Sequence, residues 1–309
     1  MILAALPFPA IDPVLLRLGP ISLHWYAMAY VGGLVLAWIG IVWTLRRKSL
    51  WAAPPFNGKP PATEDDIGDL VAWATLGVII GGRLGWDLFY GIILCGVTPD
   101  GGGACHGLPG DFLVRPWRLI AEWNGLVPQL RGMSFHGGLI GVMAAVWLFC
   151  RKRKLNLLAV ADLIAVFTPI GLFFGRLANF VNGELWGRVT DASWGMIFCS
   201  PYFPPVYGNA CPAGLLPRHP SQLYEAALEG IVLFVILQLS LRDWHLHRRP
   251  GLLAALFFFG YGLFRFAVEF FREPDAPFIG FLTMGMALSL LTWVAAALLL
   301  RAALAPKAA

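Results

Sequence analysis

The sequence predicts an all-α polytopic membrane protein with about seven transmembrane helices, the N-terminus outside and the C-terminus cytoplasmic. Three observations carry that expectation. Of the 309 residues, 58% are hydrophobic and only 13% are charged. A soluble domain carries about 25% charge, so this chain cannot cover a globule of its size with polar surface. Mean hydropathy is +0.68. The apolar residues also form long continuous runs rather than alternating, which favours helices over a barrel. A water-soluble enzyme, a disordered chain and a nucleic-acid-binding domain are excluded on composition, and the net charge of +5 is no nucleic-acid footprint.

A helix needs about 20 mainly apolar residues to cross the hydrocarbon. Seven runs meet this, at roughly 22–45, 67–94, 133–150, 157–181, 219–241, 251–271 and 277–301. The first and last are nearly free of charge. The run 53–66 reads as a loop rich in proline that ends in an acidic helix start, Glu64, Asp65 and Asp66. Basic residues fix the orientation. Arg46–Lys48 follow span 1, Arg151–Lys154 follow span 3, Arg242, Arg248 and Arg249 follow span 5, and Arg301 and Lys307 follow span 7. With seven spans, all four clusters share one side, which the positive-inside rule makes cytoplasmic. The first 20 residues carry two early prolines and no basic stretch, so they do not read as a cleavable signal peptide. The whole chain, 1–309, reads as a single integral membrane domain, with long exterior loops at about 95–132 and 182–218. Four of five cysteines, Cys95, Cys105, Cys199 and Cys211, fall at or in those loops. Oxidising surroundings would permit Cys95–Cys105 and Cys199–Cys211, or other pairings.

Ionisable residues inside spans are costly and mark a site or a pathway. Given the orientation, nearly all fall in the outer half. Tyr26 opens span 1, and Arg83 and Asp87 lie late in span 2. His136 begins span 3, Arg176 and Asn179 end span 4, His219 and Glu225 begin span 5, and Arg265 and Glu269 end span 6. Asp162 and Glu229 fall elsewhere. Arg83–Asp87 and Arg265–Glu269 are i,i+4 pairs that can neutralise each other within one helix. Glu225 and Glu229 are like-charged one turn apart. Arg176 has no acid in its own helix before Glu184. Charges gathered in one leaflet suit an outer-leaflet active site better than a channel, which would spread them through the full depth.

Three segments concentrate polar and small residues: SFHGGLIG (134–141), GRLANFVNGELWGR (175–188) and YGLFRFAVEFFREPDAP (261–277). Gly137 and Gly138 let another backbone or a lipid headgroup approach closely. Tyr261, Arg265 and Glu269 recur every four residues on one helix face. Together with HWYAMAY (24–30), RHPSQLYEA (218–226) and FLTMGM (281–286), in this order, they resemble the prolipoprotein diacylglyceryl transferase family over about residues 20–300. The strongest match is the signature G-R-x-G-N-F-x-N-x-E-x-x-G-R, met by Arg176, Asn179, Asn182, Glu184 and Arg188, with Ala178 where the family has glycine. Met286 stands where the family usually has glutamine.

The resemblance implies a transferase of the bacterial inner membrane. Its partners would be the bilayer, phosphatidylglycerol and the lipobox peptide of a prolipoprotein, with no nucleic acid. The diacylglyceryl group would pass to the lipobox cysteine thiol, forming a thioether and releasing glycerol phosphate. No cofactor is expected, and no metal, since neither HExxH nor a DxD pair occurs. The chemistry needs a thiolate, so His136 suits a general base, although arginine-assisted deprotonation with a glutamate acceptor serves as well. Arg176 and Arg265 suit the leaving phosphate, with Glu184 and Glu269 orienting them. Tyr26, Asn179, Asn182, Arg188, His219 and Tyr261 are the expected phosphatidylglycerol contacts, beside Arg176. The rival from another class is a membrane transporter with an outer-leaflet anion site. It predicts internal repeats and polar residues in both leaflets, and the sequence shows little of either. A serine or aspartyl intramembrane protease lacks its motif: there is no GxSxG, and Asp162 is the lone mid-membrane aspartate.

Overall fold

The structure is a computed structural model that describes residues 5–19, 21–86, 88, 122–124, 127–129, 133–203, 210–274 and 281–305. Besides a single 3₁₀ turn, Leu246–Arg248, eight helices are present among them. They are α1 (Trp25–Leu45), α2 (Lys48–Trp51), α3 (Glu64–Gly85), α4 (Phe135–Arg153), α5 (Leu157–Val181), α6 (Ser221–Arg242), α7 (Leu252–Val268) and α8 (Met284–Leu304). All but the single turn α2 sit where the hydropathy runs fall. Five, namely α1, α3, α5, α6 and α8, are long and apolar enough to cross a membrane. The protein is thus a polytopic helical membrane protein. The helix α4 ends in Arg151, Lys152 and Arg153. The helix α7 has 17 residues, about 26 Å at the α-helical rise. The sixth and seventh runs are shorter as helices than their hydropathy suggests, because α7 stops at Val268 and Thr283 caps α8 by accepting from the Met286 N–H at 3.2 Å.

The chain divides into two compact units, Met1–Pro61 with Leu158–Ala309, and Ala62–Leu157. In the smaller unit, Thr63 and Asp66 form a capping box at the start of α3, the acidic helix start read from the sequence. Ser134 caps α4 through the Gly137 N–H. The two helices pack through glycines spaced by four. A Cβ on Gly77 would lie 2.5 Å from the Gly141 carbonyl oxygen, and one on Gly85 would lie 2.6 Å from the Gly137 Cα. Small residues at this spacing let helix backbones touch. A short hairpin, β4 (Glu122–Asn124) with β5 (Val127–Gln129), belongs to the same unit. Cys95, Cys105 and Asp87 lie outside the described residues.

In the larger unit the N-terminal strand β1 (Leu6–Pro7) pairs in parallel with β6 (Met196–Ile197), while β2 (Val14–Leu18) and β3 (Ile21–His24) form a hairpin leading into α1. Phe8 enters an aromatic core with Phe180, Phe198 and Phe203, at ring separations of 5.0 to 5.4 Å. Gly183, at φ +64°, makes the turn after α5, where any Cβ would strike the Phe203 ring. Cys199, next in sequence to Phe198 of this core, forms a disulfide with Cys211, one of the pairings the loop positions allow. At the other end of α5, Asp162 accepts from the Gly251 and Ala254 N–H groups, both at 2.8 Å. It therefore caps α7, which explains an aspartate deep in an apolar run.

Candidate active site

Alternating chain direction brings the polar ends of α1, α5, α6 and α7 together. The segment after α5 is held by backbone contacts: Gln222 Nε2 donates to the Glu184 carbonyl at 2.6 Å and Ser221 to the Leu185 carbonyl at 2.9 Å. Glu225, fully buried, ends the first turn of α6. The helix then widens into a π segment, Ala226–Val232, which carries Glu229. Such wide turns cluster at functional sites.

Glu225 is the hub. Its Oε1 accepts from Arg265 Nη1 at 2.9 Å and Arg272 Nη1 at 3.2 Å, and its Oε2 lies 3.3 Å from Arg176 Nε. Arg176 Nη2 donates to Glu229 Oε2 at 3.3 Å. Arg265 Nη1 lies 2.7 Å from Glu269 Oε2. Three guanidiniums and three carboxylates thus balance in charge, as a buried network must if it is to be tolerated. Exposure is uneven. Glu225 and Glu229 side chains are 0% exposed, while Arg176 keeps 17% and Arg265 15%. The acids face inward and the two arginines keep an open edge. Glu269 also packs on Gly285, where an added Cβ would lie 2.5 Å from its Oε2. One Glu229 oxygen, Oε1, has no hydrogen-bond partner among the described residues.

Glu184 does not orient Arg176 as expected. Its Oε1 accepts from Asn179 Nδ2 at 2.8 Å and Asn182 Nδ2 at 3.3 Å, so the two amides hold a carboxylate and Arg176 takes its acids from α6. Tyr26 shares a hydroxyl contact of 3.1 Å with Tyr30 and lies within electrostatic range of Arg176 and Glu184. Tyr261, stacked on Phe257, lies within range of Arg176, Arg265, Glu225 and Glu229. Arg188 is turned to the backbone, with Nε donating to the Arg272 carbonyl at 2.9 Å. His219 points instead to Tyr224, Nδ1 to hydroxyl 3.0 Å, beside Phe271, and burial pushes its pKa below the ordinary value. His136 belongs to the smaller unit, in the first turn of α4, exposed, with its ring against Phe135. Among the described residues no cluster of metal-ligating side chains occurs.

Glu225, Glu229 and Arg272 were not read from the sequence as site residues. A signal was present, since two buried-span glutamates one turn apart need cations, and Arg176 lacked an acid in its own helix. Nothing in the spacing joined the two observations across 49 residues.

The family model for prolipoprotein diacylglyceryl transferase matches residues 13–302. The chain is 48% identical over 285 residues to the phosphatidylglycerol–prolipoprotein diacylglyceryl transferase of Rhodospirillum rubrum, covering 92% of this chain and 88% of that protein. Its identity to the protein of the same name from Caulobacter sp. (strain K31) is 47% over 292 residues, 92% and 90% of the two chains. For that from Rhizobium meliloti (strain 1021) it is 43% over 298 residues, 93% and 90%. The helices, the signature residues after α5 and these matches agree: the chain is a transferase that belongs to the prolipoprotein diacylglyceryl transferase family.

Proposed function

We propose that the chain transfers the diacylglyceryl group of phosphatidylglycerol to the lipobox cysteine of a prolipoprotein. The substrate sulfur forms a bond to the glycerol carbon that carries the phosphate. The carbon–oxygen bond to phosphate breaks, and glycerol phosphate leaves with the electron pair. The thiol proton passes to a base. The observation that carries this reading is the uneven exposure of the charge network. Arg176 and Arg265 are fixed from behind by Glu225, Glu229 and Glu269 and keep donors open on the other side. Preset donors of this kind stabilise charge that grows on a leaving phosphate without reorganising.

The remaining roles follow from chemistry. Tyr26 and Tyr261 offer hydroxyls near the guanidiniums. Asn179 and Asn182 position Glu184, and each keeps capacity for a glycerol or phosphate oxygen. Arg188 fixes the turn after α5, and His219 its approach to α6. His136 is the proposed base, and the nucleophile is the substrate's thiol, so no enzyme cysteine takes part. All seven apolar helices cross the bacterial inner membrane, N-terminus outside, with this site toward the outer leaflet. The basic clusters after α1, α4, α6 and in α8 support that orientation.

The test uses membranes, a lipobox peptide and phosphatidylglycerol, with thioether-linked lipid read by mass spectrometry. Wild type should modify the peptide, and Arg176→Lys should do so about a hundredfold more slowly. No modification by folded wild type overturns the reading. Near-normal turnover by His136→Gln across pH 6 to 9 would return the base role to a glutamate of the network.

A further inference from the structure

The far end of α1 carries a second arrangement of cations, one that the transfer chemistry does not use. Trp43 lies two residues before the end of α1 and is 45% exposed. The Arg47 guanidinium carbon sits 3.5 Å from its ring centroid, and that of Arg242, at the end of α6, sits 5.0 Å from the same ring. Two like charges, one from the link between α1 and α2 and one from the end of α6, therefore share one indole. Neither makes a salt bridge of 4 Å or less with a carboxylate among the described residues; the exposed Asp243 acts on Arg242 electrostatically, but less than the cationic neighbour Arg47 does. Arg46, Lys48, Arg248 and Arg249 lie close in sequence and are exposed, as is Trp244 at 62%.

Stacking on a ring face leaves the in-plane N–H groups of a guanidinium pointing outward, in the fork that matches a phosphate. The ring supplies part of the missing compensation and Asp243 another part, but the pair stays net positive, with Arg47 acting on Arg242 more strongly than Asp243 does. Tryptophan and arginine also mark the depth at which headgroups lie. With α1 and α6 spanning the bilayer, the helix rise places Trp43 about 25 Å along α1 from Tyr26, hence in the opposite leaflet to the charge network. We propose that Trp43, Arg47 and Arg242 form a binding site for the phosphodiester headgroup of an anionic phospholipid, separate from the active site. A net-negative headgroup suits it better than a zwitterionic one, whose ammonium would face the same two cations. The site needs α1 and α6 to cross the membrane and is independent of which side is cytoplasmic.

The experiment is native mass spectrometry of the purified full chain in detergent, titrated with phosphatidylserine or phosphatidylcholine. Wild type should retain phosphatidylserine in preference to phosphatidylcholine. Arg47→Gln/Arg242→Gln should weaken that adduct about thirtyfold, the sum of two interfacial cations. Arg47→Lys/Arg242→Lys keeps the charge and controls for folding; it should retain most of the binding. Arg176→Gln should leave the adduct in place. Unchanged phosphatidylserine binding by the double glutamine variant overturns the proposal. So does equal binding of phosphatidylcholine, or complete displacement by inorganic phosphate, which would make this a free-anion site. Peptide lipidation on the same preparations reports the active site separately, so failure of one reading is distinguishable from failure of the other.

Discussion

Glu225 gathers three arginines although it carries one charge. Removing that charge leaves Arg176, Arg265 and Arg272 facing one another, with Glu229 and Glu269 as the remaining acids of the network. Breaking a buried pair from one side costs about 3 to 5 kcal/mol. Glu225→Gln is therefore expected to lower the melting temperature in detergent sharply and to abolish transfer, whereas Asp243→Asn, exposed and outside the network, should leave both unchanged. Arg176→Lys is the subtler variant. It keeps the charge but loses the fork that spans Glu225 and Glu229, and loss of one preset donor costs about a hundredfold or more in rate. Lipidated peptide per minute should fall by that factor with the melting temperature little changed. Arg176, Arg265 and Glu269 were legible in the sequence because a charge in an apolar run is conspicuous. Their partners were only half legible. Spacing ranks neighbours within one helix, so it found Arg265–Glu269 and could not find Glu225, 40 residues from Arg265. The expectation from chemistry set Glu184 against Arg176, where the structure gives it to Asn179 and Asn182.

At the scale of elements, α3 and α4 depend on bare backbone. A leucine at Gly81 would drive its first carbon into the Gly137 carbonyl and the Gly141 backbone, and no flexible side chain is there to yield. Gly81→Leu should separate the two helices, read as faster proteolysis between residues 64 and 153 and a lower melting temperature. Gly68→Ala on α3, which meets nothing within 4 Å, should be neutral or slightly stabilising. The sequence reading of HGG left open whether a backbone or a lipid approaches. For Gly137 the structure gives a backbone, that of Gly81 and Gly85. The helix positions were legible because hydrocarbon thickness imposes a long apolar run on the chain. Helix ends were less so: hydropathy runs on past Val268, where the backbone has already turned to pair Arg272 with Gly187. The π segment left no trace in composition, since Ala226–Val232 reads as ordinary helix.

For the molecule as a whole, pH acts through the buried histidine outside the spans. His247 is 2% exposed between α6 and α7, with Nδ1 3.1 Å from the Leu241 carbonyl and Nε2 2.8 Å from that of Leu50. Burial is the largest influence and lowers its pKa; the two carbonyls pull it up, and His245 and Arg248 push it down again. With the folded value below the ordinary one, of about 6.5, the unfolded chain binds the proton first. The stabilising contribution is complete above that value and is lost as pH falls below it. His219 shifts in the same direction. The melting temperature should therefore decline as pH falls from about 7 to 5, and His247→Asn should flatten that slope. A melting temperature that rises on acidification would show that the two carbonyls outweigh burial. The disulfide has a consequence for how the protein is made. Cys199 and Cys211 close a 12-residue separation that contains Phe203, and a closure of that size adds roughly 3 kcal/mol. The bond needs an oxidant, so chain insertion alone does not complete the molecule. A host strain without thiol-oxidising machinery should yield an inserted protein with two free thiols, open to alkylation and quicker to lose activity on warming. The transferase is itself finished only when two of its own cysteines are joined.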